Sequence, residues 1–420
     1  SRLTRRQSQP LLTACVISRM TQLCLQLQQQ GPIQDTISQA MLNRYARYAL
    51  VGYAWVASWF CDDYKLCEGI LNQGISLPAF SDLPDNPEQS FFFTESVPSY
   101  PEKTTQHPTA IHEYPTDAVA VTDLWHTGQV QHWLEPLPQV LQKLRRIGEL
   151  VRRKNDPLLN HEQKILWYQL ASIKGELSLN RLKTRCQQDR EDLERTQILA
   201  TVPERLQTEL EDTGILLADL LQGKTILPVQ PRYTRPLEAA NLIRAALILN
   251  QQSIWPELFS WQNQLENDLP GFFIITETLF SLGMMRLILS QQEHQTSLRR
   301  IRIIDQTVSR FEHWSRQVPE NFSGQYHLLQ AEKRRLLADK NNDQSDGSVL
   351  FEKAIRVFTE QGLQPYLALA YERYGSYLQY RGQNVLAELC LRKARKLYQS
   401  WGASQKVSLL DQSKPFRSES

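Results

Sequence analysis

Apolar residues recur at three- and four-residue steps along most of this chain, the spacing of helices that bury one face. Leu12, Val16, Met20, Leu23 and Leu27 mark a first helix over 11–27, which runs through glutamines to Gly31-Pro32. Ile37 to Phe60, with Tyr45, Tyr48, Ala49, Gly52, Trp55, Val56 and Trp59, is its expected antiparallel partner, and another helix follows Asp62-Asp63-Tyr64 to about Leu77. Then the period collapses at Pro78, Pro84, Pro87, Pro98, Pro101, Pro108 and Pro115, with Phe91-Phe92-Phe93 among them. A proline-rich loop or linker over 78–117 is the reading.

Periodicity resumes near Val119 and passes through His132-Trp133 into a helix over 137–151, whose stripe is Leu141, Leu144, Ile147, Leu150 and Val151. Asn155-Asp156-Pro157 ends it. Two long patterns, 163–182 and 189–221, predict further helices up to Gly223, and Pro228, Pro231 and Pro236 mark a boundary over 224–236. Beyond it the spacing predicts helices near 237–249, 254–265, 274–289, 298–317, 325–338, 350–361, 366–380 and 386–401, then a polar, disordered tail after Leu410. No run alternates long enough for a strand, so the fold class is all-α.

The stretch from 371 to 403 is the most specific. Tyr371, Tyr374, Gly375, Leu378, Gly382, Ala387, Leu391 and Ala394 fill the eight slots of one tetratricopeptide (TPR) helical hairpin, and Trp401-Gly402-Ala403 closes it. Gly375 and Ala387 are small because two helix axes approach there, and Gly382 fits a turn that needs positive φ. The architecture expected is an antiparallel stack of hairpins, a TPR-like α-solenoid. Its parts are N-terminal helical pairs over 1–77, the linker over 78–117, a middle segment over 118–225, repeats over 226–410 and a tail over 411–420. A strict 34-residue period is absent from the first half. Tyr371 and Tyr374 sit in repeat slots and are expected in the core, Trp401 is expected to cap the last pair, and Tyr377 and Tyr380, which the hairpin does not require, are candidates for a partner-facing surface.

Composition narrows the chemistry. With 47 Lys+Arg against 45 Asp+Glu in 420 residues the net charge is +2, which gives no electrostatic case for nucleic acid or an anionic membrane as main partner. Basic pairs such as Arg299-Arg300 and Lys333-Arg334-Arg335 read as solvated faces. The six cysteines are scattered without metal spacing and read as reduced thiols of a cytoplasmic protein. No apolar run reaches the ~20 residues of a membrane helix. The chain opens on Ser1, and its signatures suggest a segment of a longer product.

Gly223-Lys224-Thr225 is not a phosphate loop: Ala218 stands where the first glycine belongs, and the triplet follows a helix and reads as its C-cap. Protein-kinase motifs are missing. His126 and His132 are six apart, the wrong offset for one helical face, and His313 reads as a surface or cap residue. Asp62-Asp63 and Glu211-Asp212 read as helix-end carboxylates. No catalytic, cofactor-binding or metal-ligating residue is expected, and the chain reads as a non-enzyme.

An ordered series of short motifs remains: Glu277-Thr278-Leu279-Phe280-Ser281-Leu282, Trp314-Ser315, Pro319-Glu320-Asn321-Phe322, Ala331-Glu332, Ala354-Ile355, Ala370-Tyr371-Glu372, Tyr398 and Lys406-Val407. In order and spacing it resembles the helical region of large bacterial signalling proteins, where a serine/threonine kinase and a P-loop ATPase precede it and a GAF sensor with histidine-kinase output follows. The stretch at Trp133, Pro136 and Leu137 is similar to an earlier part of that region. The inserted Lys340 to Ser348 stretch departs from it. The resemblance implies a cytoplasmic sensing and coupling segment with no chemistry of its own. Its partners would be the flanking kinase, ATPase and output domains, a peptide, or a small-molecule signal. The alternative is the inducer-sensing domain of an ATPase-type transcription activator.

Overall fold

The computed structural model describes residues 135–154, 157–195, 211–225, 235–269, 273–292, 297–341 and 347–412, and before them positions 18–24, 26, 46, 49, 50, 53 and 70. Every regular element among them is helical, so the fold is all-α as the periodicity predicts. The expected helices over 11–27, 37–60 and 64–77 lie outside the described residues apart from those positions. The linker over 78–117 and the tail beyond Gln412 lie outside them altogether.

Contacts divide the chain into two units, one of residues 1–131 with 144–163, the other of 132–143 with 164–420. In the first, Cys24, Ala46 and Ala49 pack together and Thr21 Oγ1 donates to the Ala49 carbonyl at 3.0 Å. Gln163 lies against Gly148 and donates to the Leu144 carbonyl at 2.8 Å.

The helices in chain order are α1 (Leu137–Lys154), α2 (Pro157–Lys174), α3 (Leu179–Arg195), a π-helical stretch Glu211–Leu216 running into α4 (Leu217–Leu221), and α5 (Pro236–Ile248). Next come α6 (Trp255–Ser260), α7 (Gln262–Asp268), α8 (Ile274–Gln292), α9 (Leu298–Gln317), α10 (Pro319–Asn341), α11 (Ser348–Glu360), α12 (Gln364–Tyr380), α13 (Asn384–Trp401) and α14 (Ser404–Asp411). Ser297 caps α9 by accepting from the Arg300 N–H at 3.2 Å. Proline in the first turn opens α5, α6 and α12, where its missing donor costs nothing.

Four expectations need correction. The single helix over 163–182 is two, parted at Gly175, whose φ of +75° needs glycine. Leu177, Leu179 and Leu182 are all buried, so the apolar rhythm continued across the turn and hid it. The helix over 254–265 is a 3-10 turn at Gln252–Ile254 followed by α6 and α7, which break at Trp261. α10 starts at Pro319, ahead of the expected 325. α14 was not foreseen; its two buried residues, Lys406 and Leu410, make too thin a stripe to be read from spacing.

From α8 to α13 each helix runs antiparallel to the one before it. Phe280 meets Phe311 across α8 and α9 at 6.0 Å between ring centres, and Trp314 meets Phe322 across α9 and α10 at 5.5 Å. Phe351 stacks on Tyr374 and Phe358 on Tyr366 across α11 and α12. Each fully buried aromatic contributes about 1.5–3 kcal/mol by area alone, so these rings dominate the core.

One end of this set of helices is closed by earlier chain. Asn321 at the start of α10 accepts from the Leu137 N–H at 2.8 Å and donates to the Glu135 carbonyl at 2.8 Å. The Gly175 turn sits against Pro365 of α12, and Gly402 against Leu179. Gly223 has φ +74° and lies against Gln405, closing α4 as the C-cap expected of it.

Candidate functional site

Gly375 and Ala387 lie where two neighbouring helices approach closely. A Cβ on Gly375 would stand 2.8 Å from Leu391 Cγ and 3.2 Å from the Ala387 carbonyl, so only glycine lets α12 and α13 meet there. Leu378, Ala387, Leu391, Ala394 and Trp401 are buried, and Gly382 turns at φ +74°. Tyr371 and Tyr374 are half-buried, not core: Lys393 lies over the Tyr371 ring, and Tyr374 donates to Glu352 at 3.1 Å.

Tyr377 corrects the reading of it as partner-facing. It is buried against Phe351, and its hydroxyl accepts from the Gly347 N–H at 3.0 Å. Three residues make almost one helical turn, so Tyr377 stays on the α11 side of α12 beside Tyr374. Tyr380, at the last position of α12, is exposed, with the Arg335 guanidinium 5.2 Å from its ring centre.

Sequence reasoning missed the main polar feature, a row of polar and charged side chains across successive hairpins in which Glu332 is fully buried. Gln291 on α8, Glu332 on α10 and Arg373 on α12 are spaced by 41 residues and meet side by side. Arg373 Nε donates to Glu332 Oε1 at 2.5 Å and its Nη2 to Oε2 at 3.2 Å, while Gln291 Nε2 donates to Oε2 at 2.7 Å and to the Glu332 carbonyl at 3.1 Å. Burial pushes the Glu332 carboxyl up, but Arg373, Arg335 and Gln291 outweigh it and hold the group below its usual range. Burial likewise disfavours the Arg373 charge, and Glu332 more than restores it.

The neighbouring Glu372 continues the network toward the end of the chain. It accepts from Lys406 Nζ at 2.6 Å and from the Tyr398 hydroxyl at 2.9 Å, tying α12 to α13 and α14. Lys406 is thereby paired and lies 5.6 Å from the Tyr398 ring centre, which explains a buried lysine in so short a helix.

A second cluster joins α5, α8 and α13. Arg244 donates to the Ser172 carbonyl at 3.0 Å and its hydroxyl at 3.1 Å, sits 3.6 Å from Glu277, and lies over the Trp401 ring at 5.4 Å. Burial raises the Glu277 carboxyl to about 7 although Arg244 opposes the shift, and Glu277 Oε1 has no protein partner. Asp212, read as a helix-end carboxylate, does lie at the start of the Glu211–Leu216 stretch, and it is buried against Arg235 at 3.1 Å.

The signal that could have found these groups was in plain view. Glu277, Glu332 and Glu372 each lie inside a motif read as packing, and a charged side chain amid such residues must be paired. The described residues hold no group of three or more His, Cys, Asp or Glu side chains that could bind a metal ion, and no helix among them is long and apolar enough to cross a membrane. The Glu332 hydrogen bonds tie α8, α10 and α12 together. Compared with protein-family models, curated proteins and solved structures, the chain matches none, so the resemblance to kinase–ATPase signalling proteins stands on its residues alone.

Proposed function

We propose that this chain is a non-catalytic helical-repeat scaffold, a TPR-like α-solenoid serving as the sensing and coupling segment of a bacterial signal-transduction protein. Its partners are then other proteins or flanking kinase, ATPase and output domains, with a small-molecule signal as a further input.

The observation that carries this reading is the Gln291, Glu332 and Arg373 chain, one residue from each of three hairpins in a row. Elements of a repeat stack meet mainly their neighbours, so a displacement passes along it through whatever bridges each pair. A buried, hydrogen-bonded ion pair resists separation by several kcal/mol, because parting it leaves an uncompensated charge. Bridges of this kind favour motion transmitted over motion absorbed. Their 41-residue spacing is longer than the 34 of the ideal repeat, which fits hairpins built from helices of 19 to 23 residues such as α8, α9 and α10.

Hydrogen exchange on the whole chain and on Glu332→Gln tests the relay. Faster exchange should spread from α10 into both α8 and α12 and on to α14; a change confined to α10 would remove the coupling role.

A further inference from the structure

Arg286, in the second half of α8, is 6% exposed, and of the three lysines and arginines buried among the described residues it alone has no protein acceptor. Arg244 is bound to Ser172 and faces Glu277, and Lys406 is held by Glu372. Arg286 makes neither a hydrogen bond nor an ion pair among the described residues, and its Nη1 is sealed from water without a partner. Its guanidinium lies over the Phe259 ring of α6, 4.5 Å from the ring centre. A ring face offsets part of the lost hydration, yet it supplies no lone pair for the N–H donors at the guanidinium edge.

The charges around it leave Arg286 uncompensated. Burial disfavours the Arg286 charge most, Arg300 in the first turn of α9 disfavours it further, and Glu266 on α7 restores less than Arg300 takes away. The pKa falls to about 10, so the guanidinium stays charged at neutral pH. Both Glu266 oxygens are engaged, Oε1 by Gln262 at 2.9 Å and Oε2 by Arg310 at 3.0 Å. That carboxylate is therefore committed elsewhere, and a buried charge without a counterion is costly.

We propose that α6, α7, α8 and α9 form a site for a small oxyanion, a carboxylate or a phosphate, bound at the edge of the Arg286 guanidinium with Arg300 as the second cation. The assignment rests on the reading of this chain as a segment with a small-molecule input, and names the chemistry of that input. With Phe259 against one face, the guanidinium offers its edge, which pairs in bidentate fashion with the oxygens of such an anion. A water molecule can accept one of these N–H bonds but leaves the charge uncompensated; an oxyanion supplies both acceptor and charge. Burial limits the size: a small solute reaches Arg286 where a side chain carried on a partner's backbone does not. α6 and α7, six and seven residues long, wall one side, and short helices are the elements that open most readily to admit it. The site also bears on the relay, because Gln291, which donates to Glu332, lies on α8 with Arg286.

The test uses thermal melts of the whole chain at fixed ionic strength, with inorganic phosphate and acetate as separate probes and sodium chloride as the control. At least one probe should raise the melting temperature saturably, and which of them does so identifies the oxyanion class. Arg286→Met should lose roughly tenfold or more in apparent affinity, and Arg300→Gln a smaller factor. Without either probe, Arg286→Met should melt no lower than the wild type, since it exchanges an uncompensated buried charge for an apolar chain. A lower melting temperature for that variant would mean that the arginine serves the fold, and would overturn the proposal. So would an equal response of the wild type and both variants, an equal response to chloride, or no saturable response to either probe. Failure of both probes with an intact exchange relay removes the anion site alone; saturable binding with exchange changes confined to α10 removes the relay and keeps the site.

Discussion

Arg373 and Glu332 share two hydrogen bonds between helices that are not consecutive in the chain, with α11 intervening in sequence. Both side chains are almost wholly withdrawn from water, so each is the other's main compensation for lost hydration.

Arg373→Met should therefore destabilise the chain by about 3–5 kcal/mol, because Glu332 stays buried without its partner. Glu332→Met should cost a similar amount. The double variant should cost clearly less than the two together, read by urea denaturation as a double-mutant cycle. Simple additivity would show that the two residues do not depend on each other.

The two buried glutamates on α8 and α10 should push the pH dependence in opposite directions. The Glu277 carboxyl is raised from 4.5 to about 7 in the folded chain. Its contribution is fully present below 4.5 and is lost as pH rises toward 7, since the unfolded chain releases that proton first. Relative to Glu277→Gln, the wild type should lose on the order of 2–3 kcal/mol between those limits. Glu332 is held low, so its contribution is present above 4.5 and lost as pH falls, and Glu332→Gln should flatten the acid limb instead. Stability curves that run parallel for wild type and both variants would contradict these assignments.

Gly375→Ala should cost about 1–3 kcal/mol through overpacking, since the new methyl meets Leu391 and the Ala387 carbonyl. Adding Leu391→Ala should recover part of that loss despite its own cavity, because it removes the nearer obstacle. A neutral Gly375→Ala in thermal melts would mean α12 and α13 have room to part.

Gly175 and Gly362 both hold positive φ, +75° and +65°, but only Gly175 is crowded, with Pro365 against it. Gly362→Ala should cost the backbone strain alone, about 1–2 kcal/mol, and Gly175→Ala distinctly more. Equal losses for the two would place the cost in φ and not in the contact with α12.

Asn321→Ala should release the start of α1. It removes the acceptor for the Leu137 N–H and the donor to the Glu135 carbonyl, at about 1–3 kcal/mol, and amide exchange at Leu137 should accelerate more than exchange elsewhere in α1.

The sequence by itself determined that this chain is helical and where most of the later helices lie. The apolar steps over 298–317 coincide with α9, and the small residues at Gly375 and Ala387 mark the crossing of α12 and α13. Those features are local: a helix shows its buried stripe in its own residues, and a close approach shows in the glycine that permits it. Only the tertiary structure decided which charges meet. Glu332 and Arg373 are 41 residues apart, Leu137 and Asn321 are 184 apart, and neither pairing leaves a mark in the periodicity of either helix. A polar residue on a helix looks the same in sequence whether it faces water or an opposite charge, and only the packing of the neighbouring helix separates the two. Tyr377 and Tyr380 show this within one helix: both lie outside the repeat slots, yet α11 covers one and leaves the other exposed.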